Sequence, residues 1–398
     1  MPEASQHPVP PSVPAVPVSA VTSALVATLV GFGGTVVICV HAVQAAGGST
    51  AHVVSAITAL CLGQAVAGAA LSFAFRIPVV LAWSTPGAAL IGATALAAGW
   101  PAAVGAFAFS SVLMMLVGFV PALGRLAARI PASIAAAMLA GVLLPFCLSL
   151  FRTFQSDLLM AALLLAVFLI VRQKLPIYAM LAVLAVALAV LVLRGDVSGF
   201  QASSVFGHLS WTTPALDPRL LVSLGVPLFL VTLMSQNLPG LVVLRTAGYE
   251  PPPGPLLLAT GLTSLILAPF GAFSVNLAAI TAAICTGPDA HPDRDRRWIV
   301  GLFYAGFYLL LAAFCALVLD LFLAMPPEAL AVIAGIALLG PLTGALSAMV
   351  EAPDHREAAI LTFAATASGL ALFGIGSAFW GLVAGFAALG ARRLLARR

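Results

Sequence analysis

From Val21 onward, apolar stretches follow one another almost without pause. A helix needs about 20 apolar residues to span the hydrocarbon core of a bilayer. Cut at that length, the pattern predicts spans at 18–46, 50–75, 78–97, 100–124, 130–150, 155–172 and 175–194. Seven more follow at 219–243, 254–270, 272–287, 297–322, 327–349, 357–375 and 377–394. The expected fold is an all-α polytopic membrane protein with 14 transmembrane segments. Segments 1–7 fill 18–194, a polar connection fills 195–217, and segments 8–14 fill 218–394. Residues 1–17 are rich in proline and polar side chains and lack a basic stretch, which predicts a disordered cytosolic tail and not a signal peptide.

Composition narrows the classes. Of 398 residues, 62% are hydrophobic and 8% charged, against about 25% charged in a soluble domain. A water-facing surface cannot be covered with so few charges. The net charge of +4 is spread along the chain, so no basic patch exists to neutralise a run of phosphates, and nucleic acid is excluded as a partner. The single lysine, Lys174, lies in Arg172-Gln173-Lys174-Leu175-Pro176, which rules out a Walker A motor. Cys39, Cys61, Cys147, Cys285 and Cys315 all sit in apolar runs with no CxxC. They read as small buried hydrophobes, with no metal site or cofactor expected. No HExxH and no paired acidic motif occurs within a span, so an intramembrane enzyme is not expected.

The basic residues set the orientation. With the N-terminus inside, 14 of the 17 Lys and Arg fall in cytoplasmic loops, the adjoining span ends or the C-terminus. Only Arg152, Arg194 and Arg219 fall outside. That asymmetry places both termini in the cytoplasm.

The halves echo each other. Pro131 opens a span that continues to Ala140-Gly141-Val142, and Pro326-Pro327 opens one that continues to Ala334-Gly335-Ile336, at an offset of 194 (335 − 141). Seven spans per half is odd, so halves of like fold form an inverted repeat, a plan that puts a transport site at the repeat interface.

Two spans look broken. The third reads Ile77-Pro78-Val79-Val80-Leu81-Ala82-Trp83-Ser84-Thr85-Pro86-Gly87. It predicts a short extended piece, an N-cap at Ser84 or Thr85 with Pro86 at the helix start, then a half-helix from mid-membrane. The tenth reads Pro269-Phe270-Gly271-Ala272-Phe273-Ser274-Val275-Asn276-Leu277, predicting the same plan with a cap at Ser274 or Asn276. Ser84 and Ser274 are 190 apart (274 − 84). Irregular backbone at membrane depth must lie inside protein or line a cavity. A half-helix start offers free N–H groups and about half a positive charge. Two of them facing each other would hold a carboxylate in a chain with no Lys or Arg in the middle of any span.

Symmetry places the first and eighth spans alongside. The first carries Gly31-Phe32-Gly33-Gly34-Thr35, which reads as close packing through small residues, then His41 and Gln44. His41 is the candidate for handling a proton. The eighth carries Met234-Ser235-Gln236-Asn237-Leu238-Pro239-Gly240. Ser235, Gln236 and Asn237 are three adjacent polar side chains that need partners in an apolar helix, and substrate is one such partner. Phe32, Trp83, Phe270 and Phe273 could wall an aromatic pocket.

The chain resembles the BenE-type benzoate:proton symporter family. The resemblance is carried by Trp83-Ser84-Thr85-Pro86-Gly87-Ala88-Ala89, Ser235-Gln236-Asn237-Leu238-Pro239-Gly240, Asn276 to Cys285, Thr366-Ala367-Ser368-Gly369 and Gly374 to Gly381. It implies proton-driven uptake of benzoate across a bacterial inner membrane. It also implies the seven-plus-seven inverted repeat shared with uracil permeases and sulfate or bicarbonate transporters. In that fold, segments 1–4 and 8–11 form a core domain, and 5–7 and 12–14 a gate domain. Where uracil-permease-like relatives commonly carry an acidic residue, Gln236 or Asn237 stands here, and an amide suits an anion better. The expected partners are an aromatic carboxylate, protons and the lipid bilayer, with a homodimer left open. The expected site sets the carboxylate between Thr85–Gly87 and Ser274–Asn276 and the ring among Phe32, Trp83 and Phe273. A passive anion channel, or a carrier of another small anion or nucleobase on the same fold, is the alternative.

Overall fold

The computed structural model describes residues 17–94, 99–120, 122, 131–195 and 204–395. The predicted tail at 1–16, the arginines Arg125 and Arg129, and the start of the polar connection at 196–203 lie outside the described residues.

Helices dominate. The first half holds α1 (Val18–Gly33), α2 (Val36–Ala45), α3 (Thr50–Phe75), α4 (Thr85–Ala93), α5 (Trp100–Phe119), α6 (Ala132–Arg152), α7 (Leu158–Lys174) and α8 (Ala179–Arg194). The second holds α9 (Pro218–Thr246), α10 (Pro253–Leu267), α11 (Ile280–Thr286), α12 (Trp298–Ala313), α13 (Cys315–Leu323), α14 (Pro327–Glu351), α15 (Arg356–Ala367) and α16 (Ser377–Leu395). Among the described residues, nine helices are long and apolar enough to cross a membrane, with α1 and α2 together making one of them. The other five expected segments correspond to the shorter or less apolar α4, α7, α11, α15 and α16.

The helices pack in two groups. In one, α3 lies on α12, α5 on α10, α2 on α4, and α1 on α11 and α12. In the other, α6 lies on α14 and α15, α7 on α8 and α14, and α15 on α16. A seam between α4 and α6 joins them.

Two extended pieces, β1 (Leu81–Trp83) and β2 (Val275–Leu277), lie in the first group and pair antiparallel, Ala82 opposite Asn276. Pro78, Val79 and Val80 ahead of β1 disfavour helix. Every polar group of such a strand needs a partner where water is absent. Ser72 supplies two, accepting from the Val79 N–H at 3.0 Å and donating to the Val79 carbonyl at 3.1 Å. Ser264 does the same for Val275, at 2.8 and 3.2 Å. The Tyr304 hydroxyl donates to the Leu81 carbonyl at 2.9 Å, and Asn237 Oδ1 accepts from the Leu277 N–H at 3.0 Å. Gly271 turns the chain into this segment with a φ of 92°, and a Cβ there would meet the Trp100 ring at 2.8 Å.

The helix after β1 begins as expected: Ser84 is its N-cap and accepts from Gly87 N–H at 3.0 Å, with Pro86 in the first turn. The tenth segment differs. Neither Ser274 nor Asn276 caps a helix, and α11 starts at Ile280 after an N-cap, Ala279, with no side-chain bond. The ladder with β1 holds the backbone extended through Leu277, so Asn276 sits mid-strand.

α9 is helical throughout but widens to π-helical turns at Leu221–Gly225 and Leu233–Asn237. Pro227 and Pro239 each follow two residues later. Proline has no N–H and crowds the carbonyl four residues back, and a wider turn relieves both.

Candidate functional site

A cavity of about 730 Å³ opens between the two groups where the broken segments meet. Its walls differ. The first group contributes Gly31, Thr35, Trp83, Thr85, Pro86, Ala279 to Thr281, and Tyr308, and α9 adds Ser235 and Gln236. The second contributes mostly small or apolar residues: Ala132, Ala135, Ala136 and Leu139 of α6, and Ala337, Gly340, Gly344, Ala345 and Ala348 of α14. Among the described lining residues there is no Asp, Glu, His, Lys or Arg.

Both half-helix starts reach the cavity. At α4, Pro86 has no N–H and Ser84 occupies that of Gly87, which leaves the Thr85 N–H at the tip. At α11 no side chain caps the first turn. Thr281 is buried within that turn.

Aromatic rings form one side. The Trp83 indole N–H donates to Thr35 Oγ1 at 2.7 Å, and that hydroxyl donates to the Gly31 carbonyl at 2.7 Å. The indole is thereby fixed, with the Tyr308 ring edge-on at 6.4 Å. Tyr304 stands behind Tyr308 at 4.8 Å between centroids. A Cβ on Gly31 would lie 3.0 Å from the Tyr308 hydroxyl and 3.2 Å from Thr281 Cγ2, so α1 packs tightly on this wall at Gly31.

The sequence-predicted residues divide. Trp83, Thr85, Pro86, Ser235 and Gln236 line the cavity. The π-turn Leu233–Asn237 presents Ser235 and Gln236, though the Ser235 hydroxyl also donates to the Val231 carbonyl. Asn237, Ser274 and Asn276 do not line it. Asn237 and Asn276 are both 0% exposed. Asn276 accepts from the Ser274 hydroxyl at 3.2 Å and donates to the Leu277 carbonyl at 3.1 Å. Their polar groups serve the extended backbone. Gly87 is buried behind the α4 cap, where a Cβ would strike Leu228 Cδ1 at 2.7 Å. Phe32 backs Trp83 at 5.5 Å, and Phe273 packs on Phe107 at 6.2 Å. His41 lies outside the cavity, exposed and edge-on to Phe146 at 5.6 Å.

Tyr308, Thr281, Thr35 and the Ala/Gly wall were not singled out from sequence. A signal existed for the first: Tyr304 and Tyr308 are two of only four tyrosines, one helical turn apart within an apolar span.

The family model described as Benzoate membrane transport protein, BenE, matches residues 14–391. The chain belongs to the BenE family. It is a membrane transporter by family, not an enzyme. The benzoate membrane transport protein of Acinetobacter baylyi is 35% identical over 370 residues, covering 93% of this chain and 94% of that protein. Inner membrane protein YdcO of Escherichia coli is 38% identical over 372 residues, covering 93% and 95%. Solved structures share the fold at low identity. The transmembrane domain of the cyanobacterial bicarbonate transporter BicA aligns with a TM-score of 0.61 at 14% identity, over 92% of this chain and 96% of that one. The inward-facing murine anion transporter Slc26a9 aligns with a TM-score of 0.65 at 11% identity, over 97% and 69%. This BenE chain is thus a multi-pass inner-membrane protein with the helical fold of those anion transporters.

Proposed function

We propose that the chain imports benzoate or a similar aromatic monocarboxylate by proton symport, through alternating access of a core domain against a gate domain. The carrying observation is the cavity: two half-helix starts, a fixed Trp83 and Tyr308, and no charged side chain among its described lining residues. The carboxylate rests between the α4 start at Thr85 and the α11 start at Ala279 to Thr281, and the Gln236 amide faces it. The ring lies against Trp83 and Tyr308, with the Ala/Gly wall of α6 and α14 opposite. His41 has no contact with this site and is given no proton role.

The reciprocal packing of α3 on α12 and α5 on α10 supports fourteen segments in two inverted halves, with residues 18–194 answering 218–394. The first packing group is then the core and the second the gate. The cavity runs toward the start of α6 and the end of α14. The charge asymmetry assigns that side, and both termini, to the cytoplasm. One chain supplies every described wall, so this reading needs no homodimer.

Proteoliposomes containing the full chain should accumulate labelled benzoate when an inward pH gradient is imposed, and lose that accumulation when it is collapsed. Uptake no greater than in empty vesicles sinks the reading. Gln236→Ala should weaken benzoate binding about tenfold, the loss of one hydrogen bond to a charged group, without lowering thermal stability.

A further inference from the structure

A smaller cavity of about 390 Å³ lies at the other end of the same seam. The start of α4, at Thr85 and Pro86, faces the first cavity, and its end, at Leu90, Ala93 and Thr94, faces the second. α6 is shared in the same way: Ala135 and Leu139 line the first, Gly141 and Pro145 the second. From Pro86 to Leu90 is about 6 Å of helix rise, so a thin waist parts the two spaces.

The second cavity has a cation. Asp217 and Arg219 line it. Asp217 Oδ1 accepts the N–H groups of Arg219 at 2.8 Å and Leu220 at 3.1 Å, which commits that oxygen to the start of α9. The Arg219 side chain is exposed, and no ion pair or hydrogen bond to its guanidinium occurs among the described residues. Its stem passes Gly374, where a Cβ would lie 3.5 Å from Arg219 Cδ. Arg219 is also one of three basic residues on the side where the charge rule expects few. Arg194, another of the three, is bound by Asp157.

We propose that this second cavity is the opposite vestibule of the transport path, and that Arg219 draws a small organic carboxylate into it. The proposal rests on the transport reading above. A fixed cation at the mouth of a low-dielectric cleft raises the local concentration of anions, and salt weakens the effect. The carboxylate then meets the site by movement of α6 past α4, with no charged group to leave behind at the waist.

The test is initial-rate uptake of labelled benzoate by cells expressing the full chain. Arg219→Gln should raise KM about tenfold with little change in maximal rate, and Arg219→Lys should stay near wild type. Wild-type KM should rise with ionic strength, and that of Arg219→Gln should not. The five native cysteines are buried, so Arg219→Cys offers one exposed thiol. A membrane-impermeant cationic thiosulfonate should restore its KM, and an anionic one should raise KM further. Wild-type KM and salt dependence in Arg219→Gln, or a response blind to the charge of the reagent, overturns the vestibule. Failure of the wild-type chain to transport benzoate at all overturns the transport reading instead. Equilibrium binding of benzoate to purified Arg219→Gln, through the first cavity, should match wild type. A joint loss of binding and uptake in that variant would place Arg219 in the fold and overturn the proposal.

Discussion

Gly31 shows how one missing methyl shapes the cavity. The Cβ of Gly31→Ala would press on the Tyr308 hydroxyl at 3.0 Å and on Thr281 Cγ2 at 3.2 Å. Both belong to the wall where the ring is proposed to lie. A misfit of one carbon in an apolar pocket costs about 1–3 kcal/mol in discrimination. Gly31→Ala should therefore raise KM for benzoate about tenfold or more, with the protein still folded. Tyr308→Phe removes the oxygen that the new methyl meets. The double variant Gly31→Ala/Tyr308→Phe should recover part of the affinity, measured as a coupling in a double-mutant cycle. Purely additive losses would mean that the two residues do not share the ring's space.

At the scale of elements, the extended pair decides what is structural and what is free for substrate. Asn237 closes the open edge of β2 at Leu277, as Tyr304 closes that of β1 at Leu81. Asn237→Leu leaves a buried N–H without a partner, at a cost of about 1–3 kcal/mol. It should lower the melting temperature in detergent, whereas a shift in KM alone would return Asn237 to the substrate. A second element is the α7–α8 hairpin, where Asp157 holds Arg194 and also caps α7 through the Met160 N–H at 3.0 Å. The Arg194 hydrogen bond, then that of Met160, holds the Asp157 carboxyl below its usual range. Because the folded value is the lower one, its stabilisation is present at neutral pH and lost as pH falls through the folded value. The gap in melting temperature between wild type and Asp157→Asn should close on acidification. The breaks themselves were legible, because Pro78 with the β-branched Val79 and Val80, and Pro269 with Gly271, disfavour continuous helix. The exact start of α11 was not. Ser274 and Asn276 look like caps in sequence, and only pairing across the halves makes Asn276 strand, with Ser274 just ahead of it. The same ladder explains why polar Asn237, reasonably read as a ligand, is occupied by backbone. Tyr308 is only faintly legible, because a tyrosine in an apolar span is ordinary until its neighbours are known.

Across the whole molecule, two helix groups meet along a seam with a space at each end, and the proposed orientation turns the larger space to the cytoplasm. Ala135→Cys on α6 should react with a membrane-impermeant maleimide from the cytoplasmic side only, and benzoate should slow the reaction. Labelling from the outside would reverse the assigned orientation. The ladder itself carries a consequence for biosynthesis. Leu81 leaves the ribosome 196 residues before its partner Leu277 (277 − 81). At ribosomal speeds of about 5–20 residues per second, that gap lasts roughly 10–40 s. Through that interval the edge of β1 lacks its partner strand in or beside the bilayer, and a nascent chain ending near residue 194 never gains one. Such a truncated product should be cleared by membrane quality control faster than the finished protein, so neither half is a self-sufficient folding unit.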